Sequence, residues 1–257
     1  MISNEFTAYD HKFYKNSKPF NYIFKDNFLT TEFALRLQKE ILEIPNSEWD
    51  RYNNPFENKY TLRNKFGFTP LLSDLFKTIE STEFIKKLQV VCDIPKLYPD
   101  QTRNFWGVHK FTNGDKLDIH LDAGLHPHSY NKKQITLGIY LTSENWSTEN
   151  RGNMEFWEGD EKNITKKAVE LEPKFNRMIL FNNTDNSWHG SPDPVISNNT
   201  QHRIFITMSY MSDLAHMYNN TLTKAYFTPR PQDEWDEEKK QLRMKRCDPV
   251  EYSKIYR

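Results

Sequence analysis

Cysteine is nearly missing from this chain: its 257 residues include two, Cys92 and Cys247, far apart and in no CxxC pair. Two such residues cannot build a disulfide framework, so a reducing compartment is the default expectation. An excess of either charge is missing too, with 35 Lys plus Arg against 35 Asp plus Glu. Nothing in that balance marks a protein built to coat nucleic acid or an anionic membrane, and neither is expected as a partner. Long apolar runs are also lacking. No window approaches a membrane span, and the opening MISNEFTAYDHKFYKN has no apolar segment of signal-peptide type. The expectation is a soluble, cytoplasmic protein, in which the sequons at Asn163 and Asn198 carry little weight. No internal repeat or low-complexity tract is evident.

Aromatic residues, by contrast, are plentiful: 18 Phe, 13 Tyr and 6 Trp can supply a core despite a hydrophilic average. The length suits one domain with appendages. Residues 1–103 read as a helical, mixed buttress. Thr30-Thr31-Glu32 can start a helix whose apolar stripe includes Phe33, Leu37 and Ile41, and further helices are expected over 71–78 and 83–91. The aromatic, Asn-rich stretch 49–69 has no period that places it. From Asn104 the period becomes two, with candidate strands at 104–112, 117–122, 135–142, 153–159, 165–172, 177–182, 187–191 and 202–211. Eight short strands in succession predict a mainly β fold with flanking helices, whose core over 104–213 is a double-stranded β-helix of jelly-roll, cupin-like type. Residues 214–257 form a C-terminal extension. Pro231 and Asp233 can open a helix there, acids first and bases last, as the helix dipole favours.

Within LDIHLD, Leu117, Ile119 and Leu121 share one face of a strand, so His120 and Asp122 share the other. An HxD pair alone is commonly chance. Its place on the second strand, with His189 on the seventh, changes that, because these strands are neighbours in a double-stranded β-helix. His120, Asp122 and His189 therefore form a candidate 2-His-1-carboxylate set, which holds one face of a metal ion and leaves the other open. His126 and His128 follow directly and leave a four-ligand zinc site as the alternative, although such an HPH loop more often faces substrate or solvent. Trp106, Trp157 and Trp188 are candidates for the pocket mouth or for the core.

Three strands share an asymmetry. Ile135, Leu137 and Ile139 oppose Thr136, Gly138 and Tyr140, and Ile204, Ile206 and Met208 oppose Arg203, Phe205 and Thr207. On the first strand Lys110 and Thr112 are assigned to the face of Trp106. Small polar groups inside a barrel leave room for a ligand. Arg203 would be costly to bury without an anion. Its fork suits a carboxylate, with the Tyr140 hydroxyl and Thr207 alongside.

With these residues in view, the chain resembles the prolyl-4-hydroxylase-like branch of the Fe(II)/2-oxoglutarate-dependent oxygenases over about residues 104–212. The resemblance is carried by FTNGDKLDIHLD, IYLTSENWSTENRGNMEFW, LEPKFNRMILFNN, SWHGSPDPV and HRIFITMSY. It implies that His120, Asp122 and His189 bind iron and act in catalysis, that Arg203 binds the C5 carboxylate of 2-oxoglutarate, and that Tyr140 touches the same cosubstrate. Lys110 stands where oxygen-sensing relatives place a pocket tyrosine, and it is a candidate second cation for that carboxylate. The 14-residue step from His189 to Arg203 implies an enlarged turn around 192–200. Implied cofactors are Fe(II), 2-oxoglutarate and O2, with ascorbate as an accessory reductant. The implied reaction hydroxylates a C–H bond, with a prolyl residue of a peptide or protein as first choice, and with the loop 126–131 and the segment 49–69 as clamps. A free amino acid or other small metabolite is the alternative substrate. A non-enzymatic cupin-like metal- or sugar-binding module is the alternative class, with a metal-dependent isomerase behind it.

Overall fold

The computed structural model describes residues 1–62, 68–198, 200–213, 220–248 and 250–251. In chain order these form α1 (Ala8–Asn16), β1 (Tyr22–Lys25), α2 (Thr31–Leu42), β2 (Trp49–Asn54), β3 (Glu57–Leu62), α3 (Pro70–Ile79), α4 (Thr82–Cys92) and β4 (Tyr98–Pro99). The core strands come next: β5 (Gly107–Phe111), β6 (Lys116–Leu121), β7 (Lys132–Tyr140), β8 (Met154–Gly159), β9 (Ile164–Leu171), β10 (Arg177–Asn182), β11 (Trp188–Ser191) and β12 (Arg203–Ser212). Short β13 (Tyr226–Phe227) and α5 (Glu237–Cys247) close the described chain.

All eight expected core strands are present, and their order is that of a jelly roll. Strands β10, β7, β12 and β5 run side by side in one half, and β6, β11, β8 and β9 in the other, every pairing antiparallel. The stretch 49–62 that showed no period folds as the hairpin β2–β3, and β3 joins the halves by pairing with both β5 and β6. The rest of that stretch, 63–67, lies outside the described residues. Near the N-terminus β1 adds itself to β10, so the sheet extends beyond the core strands.

Alternation sets the two faces. Ile135, Leu137 and Ile139 of β7, with Ile204, Ile206 and Met208 of β12, are buried in one cluster with Leu72, Leu75, Phe76 and Ile79 of α3 and Leu88 of α4. Each helix buries its stripe there because the sheet offers a matching apolar surface. The Tyr210 hydroxyl donates to the Ile79 carbonyl at 2.7 Å, satisfying one of the carbonyls that a helix C-terminus leaves open. Helix α4 is capped by Ser81, which accepts from the Phe84 amide. The helices cover one face, and the opposite face of the same strands is left for the cavity.

The C-terminal helix starts later than expected. Asp236 rather than Asp233 caps it, accepting from the Lys239 amide at 2.7 Å. Asp233 is engaged by the Arg230 guanidinium, with an Nε–Oδ2 distance of 3.0 Å, which removes it as a cap. Lys239 then ties α5 to the barrel through Asp118. Among the described residues no helix is long and apolar enough to cross a membrane.

Candidate active site

His120 and His189 face each other directly across the β6–β11 pair, with ring centroids 4.5 Å apart. Asp122 follows β6 by one residue, and its Oδ1 lies 3.5 Å from His120 Nε2 while its Oδ2 lies 3.8 Å from His189 Nε2. One ligand atom from each residue lies within 4.8 Å of the others. The strand period thus brings together the three residues expected from the sequence.

The ring orientations are fixed from behind. His120 Nδ1 lies 2.9 Å from the Asp118 carbonyl and His189 Nδ1 2.9 Å from the Ser187 carbonyl. Each Nδ1 donates, which leaves each Nε2 lone pair aimed at the centre. Burial, followed by the charge of His120, lowers the pKa of His189 to about 4. Burial alone would raise the Asp122 pKa, but the charge of Lys133 holds it well below the usual carboxylate range. Two imidazoles, each with Nδ1 held by a backbone carbonyl, and one carboxylate are the donor set that a divalent ion needs.

The same cavity, about 450 Å³, reaches from the triad to Arg203. Arg203 is 2% exposed, and its Nη2 donates to the Tyr140 hydroxyl at 3.1 Å and to the Ser191 hydroxyl at 2.8 Å. Its guanidinium lies 4.5 Å from the Phe111 ring and 5.0 Å from the Tyr140 ring. Among the described residues no carboxylate lies within ion-pairing distance of it, and its Nε has no partner. A buried cation in that state calls for an anionic ligand. Close packing makes the space: a Cβ on Gly138 would come within 2.0 Å of the Phe205 ring, so only glycine lets that ring lie over β7 beside Tyr140. Thr207 lines the cavity as expected.

Lys110 does not reach this site. Cross-strand pairing sets Phe111, His109 and Gly107 opposite Arg203, Phe205 and Thr207 on the cavity face, and Lys110 opposite Ile204. The Lys110 ammonium instead lies over Trp49 at 4.4 Å and Tyr60 at 5.5 Å. The expected face is thus displaced by one residue, because a strand reverses its sides at every step. Phe111, not Lys110, occupies the position beside the guanidinium.

The other expectations divide. Trp106 borders the cavity and stacks on Phe76 at 4.8 Å, whereas Trp157 and Trp188 belong to a separate apolar cluster. His126 is neither solvated nor grouped with the triad. It is buried, with Nε2 2.7 Å from the Thr102 hydroxyl and Nδ1 accepting the His128 and Ser129 amides, so it organises its own loop. From that loop Pro127 borders the cavity, and so do Tyr52, Glu57 and Thr61 of the hairpin. The long turn after His189 packs back on the β5–β6 connection, where the Val195 carbonyl accepts from Gly114 and the Val195 amide donates to the Asp115 carbonyl.

Two contributors were not foreseen. Lys133, buried on β7, donates to Asp122 Oδ2 at 2.6 Å. Ser191, two residues after His189, anchors Arg203. The second had a local signal, since alternation along β11 puts residues 189 and 191 on one face.

Residues 106–211 match the family described as the 2OG-Fe(II) oxygenase superfamily. That match runs from just before β5 to within one residue of the end of β12. The family uses Fe(II), 2-oxoglutarate and O2, and the His120, Asp122 and His189 set stands where such a domain needs one. Comparison with curated protein sequences gave no match. Among solved structures the chain is similar to a Pseudomonas putida prolyl-4-hydroxylase, with a TM-score of 0.58 and 10% identity over 79% of this chain and 98% of that one. It is similar to a Trichoplax adhaerens prolyl hydroxylase in complex with a peptide fragment of hypoxia inducible factor, at 0.55 and 14% over 80% and 90%. It is also similar to SnoK, an alpha-ketoglutarate-dependent carbocyclase of nogalamycin biosynthesis, at 0.57 and 12% over 91% and 90%. At these identities the likeness is one of fold.

The cavity fits both groups on its own chemistry. The imidazole and carboxylate set suits Fe(II), and the orphaned Arg203 Nε suits the far carboxylate of a dicarboxylate.

Proposed function

We propose that this chain is an Fe(II)- and 2-oxoglutarate-dependent dioxygenase that hydroxylates a C–H bond of a prolyl residue in a peptide or protein. One observation carries the oxygenase part: Arg203, buried without a carboxylate partner among the described residues, opens into the cavity that holds the triad. A plain metal- or sugar-binding module has no need of that guanidinium. His120, Asp122 and His189 would hold the iron by one face. Arg203, fixed by Tyr140 and Ser191, would orient 2-oxoglutarate by its C5 carboxylate, with Thr207 on the same wall. Phe111, Phe181 and Phe205 line the inner part and would keep water from it. When bound, iron and 2-oxoglutarate supply the oxidising chemistry, with succinate and CO2 as co-products.

The prolyl assignment draws support from the fold shared with prolyl hydroxylases, one of them bound to a peptide fragment. A second reading, a free amino acid or another small metabolite, is favoured by one feature. Glu57 and Lys59 place opposite charges 2.8 Å apart on the cavity wall, a pair able to meet an ammonium and a carboxylate. Anaerobic addition of Fe(II) and 2-oxoglutarate is expected to give a weak visible charge-transfer band, and its absence would remove the oxygenase reading. Mass spectrometry after aerobic incubation with proline-containing peptides and with free amino acids separates the substrates. Gain of one oxygen atom by a free amino acid only would remove the prolyl reading and leave the oxygenase.

A further inference from the structure

Lys133 is a cation of the cavity that neither the donor set nor the cosubstrate contact uses. It is 6% exposed. Its ammonium lies 2.6 Å from Asp122 Oδ2 and 5.3 Å from the Phe105 ring centroid, and the Thr136 hydroxyl approaches the same carboxylate oxygen at 3.5 Å. A buried ammonium needs an anion beside it, and here the anion is the only carboxylate of the donor set. A dication reaching the two histidines must therefore share Asp122 with Lys133.

The charges of the inner wall distinguish a metal ion arriving alone from one arriving with a dianion. Asp122 and Glu57 put two negative charges on this cavity, and Lys133, Arg203, Lys59, Lys224 and Arg246 put five positive ones there. A dication bound alone adds to an existing positive excess, whereas a dication with the 2-oxoglutarate dianion leaves the excess as it was. At an effective dielectric of about 20, repulsion between an ammonium and a divalent ion a few ångströms away exceeds what one orienting hydrogen bond contributes.

We propose that Lys133 makes metal and 2-oxoglutarate binding interdependent, disfavouring a dication that arrives alone and favouring one accompanied by the dianion. The inference rests on the cosubstrate reading above. It makes Lys133 a positioning residue of the binding step, and by linkage the effect on each ligand must be mirrored in the other.

The test is calorimetric titration of the metal-free protein with Mn(II), and of the Mn(II)-loaded protein with 2-oxoglutarate, for wild type, Lys133→Met and Lys133→Arg. In Lys133→Met, Mn(II) alone should bind about tenfold tighter and 2-oxoglutarate about tenfold weaker, within the usual range of a coupling between sites. Lys133→Arg should stay near wild type. If Lys133→Met does not fold, Lys133→Gln, which keeps a donor but removes the charge, must show the same pair of opposite changes. Weakening of both ligands together, as the loss of a carboxylate-orienting bond produces, would overturn the proposal, and so would no change in either. Wild-type protein that binds Mn(II) but no 2-oxoglutarate would overturn the cosubstrate reading itself, a result recognisable without any variant.

Discussion

The two faces of β7 and β12 differ although the same two strands carry both. On the helix-covered face, Ile135, Leu137, Ile139, Ile204, Ile206 and Met208 sit in one buried cluster, where apolar character and volume matter more than which residue supplies them. On the cavity face, Lys133, Tyr140 and Arg203 each hold a particular partner at hydrogen-bonding distance, and Gly138 yields its volume to Phe205. The first face stabilises the barrel by removing area from water. The second burdens it with two buried cations. Stability and binding should therefore be separable by residue, one strand step apart.

The sharpest break is at the triad. His120→Ala or His189→Ala should abolish 2-oxoglutarate turnover while circular dichroism stays that of the folded protein, because the ligands are a local device on strands whose core lies elsewhere. Asp122→Ala should behave likewise, apart from whatever a small anion restores by taking the carboxylate's place. Succinate release by either histidine variant at the wild-type rate would end the iron assignment.

Next in size is the helix-covered face. Leu137, 1% exposed, points into the α3 and α4 cluster. Leu137→Ala should cost about 2–5 kcal/mol of stability and leave the KM for 2-oxoglutarate unchanged in whatever protein remains folded. Chemical denaturation with steady-state assays reads both. A rise in KM matching the loss of stability would mean that the two faces are not independent.

Legibility in the sequence divides along the same line. Wherever one face of a strand was apolar, the period of two located the strand, so the eight core strands and the His120, Asp122 and His189 set could be read directly. The β2–β3 hairpin could not. WDRYNN and ENKYTL lack an apolar alternation, because this hairpin bridges two sheet halves and gives the core only Trp49, Tyr60 and Leu62 while Tyr52, Glu57, Lys59 and Thr61 line the cavity. Lys133 escaped for another reason. Counting back by twos from Ile135 puts it on the helix-covered face, but the β7–β12 register shifts between the Tyr210–Ile135 and Met211–Lys133 pairs, and it lines the cavity. One irregular step reverses a side chain's face, and single-sequence alternation carries no sign of it. Position in a strand did identify Arg203; that Ser191 and Tyr140 would hold it depended on closure of the barrel.

The smaller effects distinguish the two cations that the sequence offered for the far carboxylate. Arg203→Ala should raise the KM for 2-oxoglutarate by roughly ten- to a hundredfold, since a charged hydrogen-bonded pair contributes about 1.5–3 kcal/mol. Arg203→Lys should be milder, keeping a point charge and losing the fork.

Lys110→Met should do least of all. Its neighbours on the helix-covered face are Trp49 and Tyr60, so the variant loses a cation–π contact of about 0.5–1 kcal/mol and keeps the aliphatic stem between the rings. The KM for 2-oxoglutarate should not move, because β12 pairing sets Lys110 opposite Ile204 and Phe111 opposite Arg203. The two variants thus test the one-residue displacement directly. If Lys110→Met raised the KM and Arg203→Ala did not, the cosubstrate would lie against the other side of β5, and the assignment of faces along β5 and β12 would have to be reversed.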